Sequence, residues 1–327
     1  MHRKLLLLVL ILLPLRLLGQ QYGYVASPVN AESVVKEDRL SQGIEFLTSP
    51  LCEGRASGTA GQFYAAEWIR HSLKQAGVQP FDGCWVDGFA LEGGGNGYNV
   101  LGMFPGKGER YVIIMAHYDN LGILGGRMYP GADSNASGVV ALTTLASMLQ
   151  RMDHFGRRYN RNVIFVALDG KMRNFSGAKA LFRRLSRGEL KNPETGRTIT
   201  RADIDLVINI DQIGSVEAPI HTGRPDYLIL LGDEAYARRD ALSGANRSRN
   251  IDLDLAFDYY GSRDFTRLFL RQVNDQRVFL DAGIPSVMFT SGITMRNNKP
   301  SDTADGLDIP VLRKRIILIF HWLARWL

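Results

Sequence analysis

The sequence predicts an α/β fold: one domain with a mostly parallel central sheet and helices on both faces. Three observations carry this. Residues 111–115, 162–168, 205–211 and 284–290 are short apolar runs rich in β-branched residues, the composition of strands buried on both sides. Stretches with apolar residues at helical spacing separate them, the alternation that builds crossover units. The chain has 327 residues, 45% of them apolar and 22% charged, enough to bury one large core. The formal charge of +6 falls to +3 once Arg3, Lys4 and Arg16 near the start are set aside, too little to argue for nucleic acid.

Residues 1 to about 19 read as a secretory signal peptide, with a basic start at His2, Arg3 and Lys4, an apolar run from Leu5 to Leu15, and small Gly19. The apolar run is short for a membrane span, and Arg16 leaves an uncleaved anchor as the alternative. The mature protein, residues 20–327, is expected to be exported, periplasmic or secreted, without an integral span. Cys52 and Cys84 suit either a disulfide in that compartment or two unpaired small hydrophobes.

Residues 31–47 read as an amphipathic helix or helix pair, and the small-residue loop 53–61 leads to a helix at 62–76. There Tyr64, Ala65, Trp68, Ile69 and Leu73 are expected to form the buried stripe. Strands are expected at 85–91 and 98–103 around the flexible glycine run 92–97. A turn at 105–108 then makes a hairpin whose return strand carries His117. A helix over 135–152 has Asn135 or Ser137 as cap. After the strand at 162–168, a helix ends near Leu185 and residues 186–201 form a surface excursion. Beyond the strand at 205–211 a polar excursion is expected, with helices near 234–245 and 264–273. The closing helix, 309–327, turns Leu312, Ile316, Ile319, Phe320, Leu323 and Trp326 to one side and Arg313, Lys314, Arg315 and Arg325 mostly elsewhere. It reads as docked on the sheet, with a membrane-surface helix as the alternative.

The chemistry centres on two segments, AHYDNLG at 116–122 and PGADSNASG at 130–138. The first strand delivers His117 and Asp119 to its C-terminal edge, where such sheets place their chemistry. An imidazole there and Asp133 on the next loop suit a divalent metal, with Asp119 placed to fix the imidazole tautomer.

With GRASGTAG, YNVLG, VIFVALDG, INIDQIG, DAGIPS and KPSDTAD following in order, the chain resembles the zinc aminopeptidases of metallopeptidase family twenty-eight (clan MH) from about Leu51 onward. The resemblance implies a zinc-exopeptidase, phosphorylase-hydrolase-like fold. It also implies two metals about 3.5 Å apart sharing a bridging Asp. One metal takes in addition a His and an Asp, the other a Glu and a final His. A Glu just before the ligand Glu serves as general base.

Carried over by position, the resemblance makes His117, Asp133 (the bridge) and Asp211 metal ligands, with Asp119 orienting His117. The other positions depart. Lys171 stands at the general-base position, Met172 at the ligand Glu and Asn298 at the final ligand His. Asn120, Ser134 and Gln276 replace residues that are frequently His, Asp and His. A thioether is a poor ligand for a hard divalent ion and an amide a weak one. A protonated lysine cannot take a proton from water. At most one weakly held zinc is therefore expected, and possible loss of both is the alternative. The Lys171 ammonium is expected near Asp133 as a counter-ion for the lost metal. Glutaminyl cyclases share this fold with one zinc, but their ligands include a Glu and a His missing here. The expected function is an exported, catalytically impaired aminopeptidase-like protein that binds a peptide-like or amino-acid-like ligand, or a partner. An active mononuclear zinc hydrolase is the alternative.

Overall fold

The computed structural model describes residues 28–218 and 224–327. The expected signal peptide lies outside the described residues.

Twelve strands occur among the described residues: β1 Val86–Ala90, β2 Asn96–Phe104, β3 Tyr111–His117, β4 Gly122–Leu124, β5 Arg127–Tyr129, β6 Asn162–Leu168, β7 Leu190–Lys191, β8 Thr198–Ile199, β9 Ile204–Ile210, β10 Tyr227–Gly232, β11 Asp254–Ala256 and β12 Ser286–Thr290. The helices that cover them are α1 Glu37–Leu47, α2 Ala60–Gln75, α3 Ser137–His154, α4 Ser176–Arg187, α5 Glu234–Ala237, α6 Arg239–Ser248, α7 Arg263–Arg271, α8 Arg277–Asp281 and α9 Ile309–Leu323.

Eight strands form one sheet in the order β1-β2-β6-β3-β9-β12-β10-β11. Its centre, β6-β3-β9-β12, is parallel, and antiparallel pairs flank it at β1/β2, β2/β6 and β12/β10. Every residue of β3 and β6 is buried. Side chains alternate across a strand, so Val112, Ile114 and Ala116 of β3 join the core under α1, α2, α3 and α9. Tyr111, Ile113 and Met115 join the second core, with Leu181 and Leu185 of α4 and Phe279 of α8. The continuous apolar runs follow from this two-sided burial.

Five expectations need correction. In α2 the buried stripe is Ala65, Ala66, Ile69 and Leu73, whereas Tyr64 is exposed and Trp68 only half-buried. The turn at 105–108 does not make a hairpin, because β6 lies between β2 and β3. Lys107 and Gly108 instead donate to the carbonyls of Tyr159 and Asn160, laying the loop along the entry to β6. The apolar run of β10 was hidden in what reads as a polar excursion, yet it pairs with β12 and is buried over Tyr227–Leu231. The helix near 234–245 is broken at Arg238, whose φ of 45° separates α5 from α6. Arg315 does not sit on an exposed side of α9: it is wholly buried and donates to the carbonyls of Tyr227, Ile213 and Ser215.

The closing helix docks as expected, with Leu312, Ile316, Ile319, Phe320 and Leu323 in the larger core. Among the described residues, no helix is long and apolar enough to cross a membrane. Cys52 is buried, Cys84 is exposed, and the two are not bonded.

Candidate functional site

The parallel strands aim their C-terminal ends at one cluster. His117 ends β3, Asp169 to Lys171 follow β6, Asp211 follows β9, and the segment after β12 brings Asn298. Asp133 sits on a loop that opens α3. There Asn135 Oδ1 accepts from the Gly138 amide, but the N-cap of α3 is Ala136, without a side-chain cap, so neither Asn135 nor Ser137 takes the expected cap position.

His117 is wholly buried. Its Nδ1 lies 3.0 Å from the Asp119 carbonyl and 3.6 Å from Asp119 Oδ1. That carbonyl accepts only a proton-bearing Nδ1, so it fixes the tautomer through the backbone of Asp119 more than through its carboxylate. Nε2 is turned to Asp211 Oδ1, 3.4 Å away. Burial and the Lys171 charge oppose protonation of this imidazole, but Asp211 and Asp119 outweigh them and raise its pKa above the ordinary histidine value.

Lys171 starts a short 3-10 turn, Lys171–Arg173. Its ammonium pairs with Asp211 Oδ2 and donates to Asn274 Oδ1 at 3.0 Å. Burial alone would raise the Asp211 carboxyl. Lys171 and His117 overcome that and hold it far below the usual carboxylate range. Asp119 Oδ2 accepts from the Met172 amide at 3.2 Å, so the same carboxylate that faces His117 holds the turn carrying Lys171.

Asp133 points elsewhere. Its Oδ1 accepts from the amides of Gly214 and Ser215, at 2.8 and 3.2 Å, and from Ser137 Oγ at 3.1 Å. Asp302, of the KPSDTAD segment, accepts from the amides of Asp133 and Ser134. Burial and the neighbouring Asp302 push the Asp133 carboxyl up to about 7. The expected pairing of Lys171 with Asp133 is therefore corrected: its counter-ion is Asp211.

The structure brings His117, Asp119, Lys171 and Asp211 together. Among the described residues, no three His, Cys, Asp or Glu side chains are grouped so as to hold a metal ion. The donor chemistry agrees. Asp211 has one oxygen committed to an ammonium, Met172 and Asn298 offer a thioether and an amide, and a cation beside Lys171 would be repelled. The residues present do not fit a two-metal centre.

Met172 and Asn298 line, with Lys171, a cavity of about 310 Å³ that α7 walls through Leu268 and Phe269. The backbone around it is unusual. Asn174, Phe175, Gln212 and Asn298 all have φ between 55° and 58°, the left-handed region that bulky residues rarely adopt. Such conformations cost on the order of 1 kcal/mol each and concentrate at binding sites. Two of the lesser departures have structural partners. Gln276 accepts from Asn209 and donates to the carbonyls of Phe269 and Leu270, and Asn120 donates to the Tyr129 carbonyl. Ser134 precedes a cis peptide bond to Asn135.

Sequence reasoning missed Asn274, Asp275 and Arg55. Asp275 is wholly buried, neither of its carboxyl oxygens has a hydrogen-bond partner among the described residues, and burial pushes it up to about 6 although Lys171 and His117 lower it. Arg55, within GRASGTAG, is wholly buried and donates to the carbonyls of Tyr118, Leu47, Pro130 and Gly131. An arginine amid small residues was the available signal for Arg55; Asn274 and Asp275 had none.

Residues 99–323 match the sequence pattern of Peptidase family M28. Alkaline phosphatase isozyme conversion protein of Escherichia coli (strain K12) is 29% identical over 178 residues, 49% of this chain and 47% of that protein. BOS complex subunit ncln of Danio rerio is 28% identical over 127 residues, 36% of this chain and 21% of that protein. The chain thus spans less than half the length of either. Among solved structures, BSAP, a zinc aminopeptidase from Bacillus subtilis, superposes with a TM-score of 0.65 at 13% identity, over 89% of this chain and 95% of that one. Glutaminyl cyclase from Macrostomum lignano gives 0.68 at 17% identity, over 93% of each. At these identities the likeness establishes the fold alone, and the sequence pattern adds the lineage: the chain belongs to peptidase family M28.

Proposed function

We propose that this is an exported M28-family protein that binds a peptide-like ligand or a protein partner without hydrolysing it. The carrying observation is the Lys171–Asp211 ion pair, completed by Asn274, at the position where the family resemblance places the general base. An ammonium held by a carboxylate cannot accept a proton from water, and it supplies positive charge where the family uses metal. The retained cavity and its left-handed backbone support a site kept for binding. The partner form of the reading draws support from the name of the Danio rerio relative, a complex subunit. Export rests on the pattern at the start of the sequence. The test is equilibrium binding of N-terminally free peptides in the presence of EDTA, with mass spectrometry of the recovered peptides. Binding without cleavage supports the proposal, and cleavage contradicts it.

A second reading, an active mononuclear zinc hydrolase, has its own observation. His117 Nε2, Asp211 Oδ1 and Asp133 Oδ2 are buried and lack hydrogen-bond partners among the described residues. Those three residues are the ligands that survive by position. This reading requires the three free atoms to converge on one ion, a grouping not found among the described residues. It is distinguished by zinc-dependent turnover.

A further inference from the structure

A larger cavity of about 660 Å³ lies on the other side of the Lys171–Arg173 turn, between the start of α2 and the β1/β2 edge of the sheet. Its floor is polar and satisfied. Gln62 and Tyr118, both buried, are bonded to each other at 3.1 Å, and Gln62 also donates to Asp169. The Tyr118 hydroxyl donates to the Tyr98 carbonyl at 2.6 Å. Its walls are apolar and open: Phe63, Val86 and Tyr98 are 62%, 37% and 38% exposed. The glycine run roofs it. Gly93, Gly94 and Gly95 all have φ near +90°, and a Cβ built on Gly94 would touch nothing within 4 Å. The roof is thus open at Gly94, while a Cβ on Gly93 or Gly95 would meet Arg173 or Leu91 of the lining.

Two features say what would fill the space. β1 is the end strand of the sheet and pairs only with β2, so its outer edge is free of any strand partner among the described residues. Val86 of that strand lines the cavity. Arg173 lines it as well, and forms no ion pair among the described residues, whereas Glu67 is paired with Arg70 and Glu92 with Lys179. The free charge at this cavity is thus a cation.

We propose that this cavity is a second binding site, which takes an extended polypeptide segment that adds as a strand to the free edge of β1. The segment places an aromatic or branched apolar side chain under the glycine roof and an acidic side chain on Arg173. Side chains two apart in an extended strand share a face, so the acidic residue lies two positions from the apolar anchor. Main-chain pairing needs no free terminus, so the segment is an internal one. The proposal does not depend on what the Lys171 cluster does.

The test is selection from a random heptapeptide library, blocked at both ends, by the immobilised full chain. Wild-type protein should enrich peptides with an aromatic or branched residue two positions from Asp or Glu. Those peptides should slow amide exchange over Val86–Ala90. Val86→Arg, on a half-exposed edge position that tolerates charge, should weaken the enriched peptides at least tenfold. Arg173→Glu should shift the enriched set toward Lys and Arg at the acidic position. Failure to enrich any motif, or a motif that survives both Val86→Arg and Arg173→Glu, would overturn the proposal.

Discussion

The ammonium of Lys171 closes on Asp211 and leaves Asp133 to the backbone amides of Gly214 and Ser215. Two carboxylates that the family resemblance assigns to metal thus meet opposite surroundings: Lys171 and His117 hold Asp211 far below the usual range, whereas burial and Asp302 push Asp133 up to about 7 despite the amides it accepts from. The Lys171 side chain is 11% exposed and that of Asp211 1%, so the pair is shielded from bulk water. Removing one partner of such a pair strands a buried charge, which costs more than the pair itself contributes.

Lys171→Met should therefore destabilise the fold by about 3 kcal/mol, read as a drop in the urea midpoint at unchanged slope. Lys171→Met/Asp211→Asn should recover most of that loss. Equal losses in the single and double variants would show that the two charges are not coupled.

Arg55 ties four segments together through the carbonyls of Leu47, Tyr118, Pro130 and Gly131. Arg55→Met keeps much of the volume but leaves buried carbonyls unpaired, at about 1–3 kcal/mol for each group that water cannot reach. The expected outcome is a loss of at least about 3 kcal/mol in denaturant unfolding, with faster amide exchange around residues 130–136. A variant as stable as wild type would remove Arg55 from this role.

Asp275 gives a pH dependence with a definite sign. Its folded pKa is raised to about 6, with burial as the largest cause. An unfolded aspartate titrates near 3.9. A raised folded pKa means the stabilising contribution is complete below about pH 4 and is lost as pH rises through about 6. Asp275→Asn should flatten the stability profile between pH 4 and 7, by up to about 3 kcal/mol at the upper end. A profile as steep as wild type would assign that slope to another group, such as Asp133 at about 7.

Metal content follows from the donor set. Dialysed wild-type protein should retain at most one equivalent of zinc, and EDTA should change its melting temperature little, because a weakly held ion stabilises little. Lys171→Glu alone should not create a two-metal site, since Met172 and Asn298 remain. Lys171→Glu/Met172→Glu/Asn298→His should raise the zinc retained. Two equivalents in the wild type would mean that unrecognised ligands replace Met172 and Asn298.

Much of the site was legible because strand ends are legible. The apolar runs that stop at His117, Leu168 and Ile210 place His117, Lys171 and Asp211 at one sheet edge without knowledge of any contact. The direction of a side chain from a loop is not encoded in this way. Asp133 and Asp211 both follow such an edge, and the donors that hold Asp133 Oδ1, the amides of Gly214 and Ser215 three and four residues beyond Asp211 and the Ser137 hydroxyl, carry no pattern in the sequence. Arg315 was misplaced for a related reason. Helical spacing put it off the apolar stripe, but three buried carbonyls waited there for a fork of donors. The strand β10 was missed because an apolar run of its length, set among polar residues, gives no period to read.

The most direct measurement is hydrolysis of leucine p-nitroanilide and related aminoacyl chromogenic substrates by wild-type protein, with added zinc and with EDTA. The expected result is no turnover above background in either condition, and none gained in Lys171→Met. Zinc-dependent turnover by the wild type that Lys171→Met abolishes would contradict the account, because Lys171 would then be catalytic and not the counter-ion of Asp211.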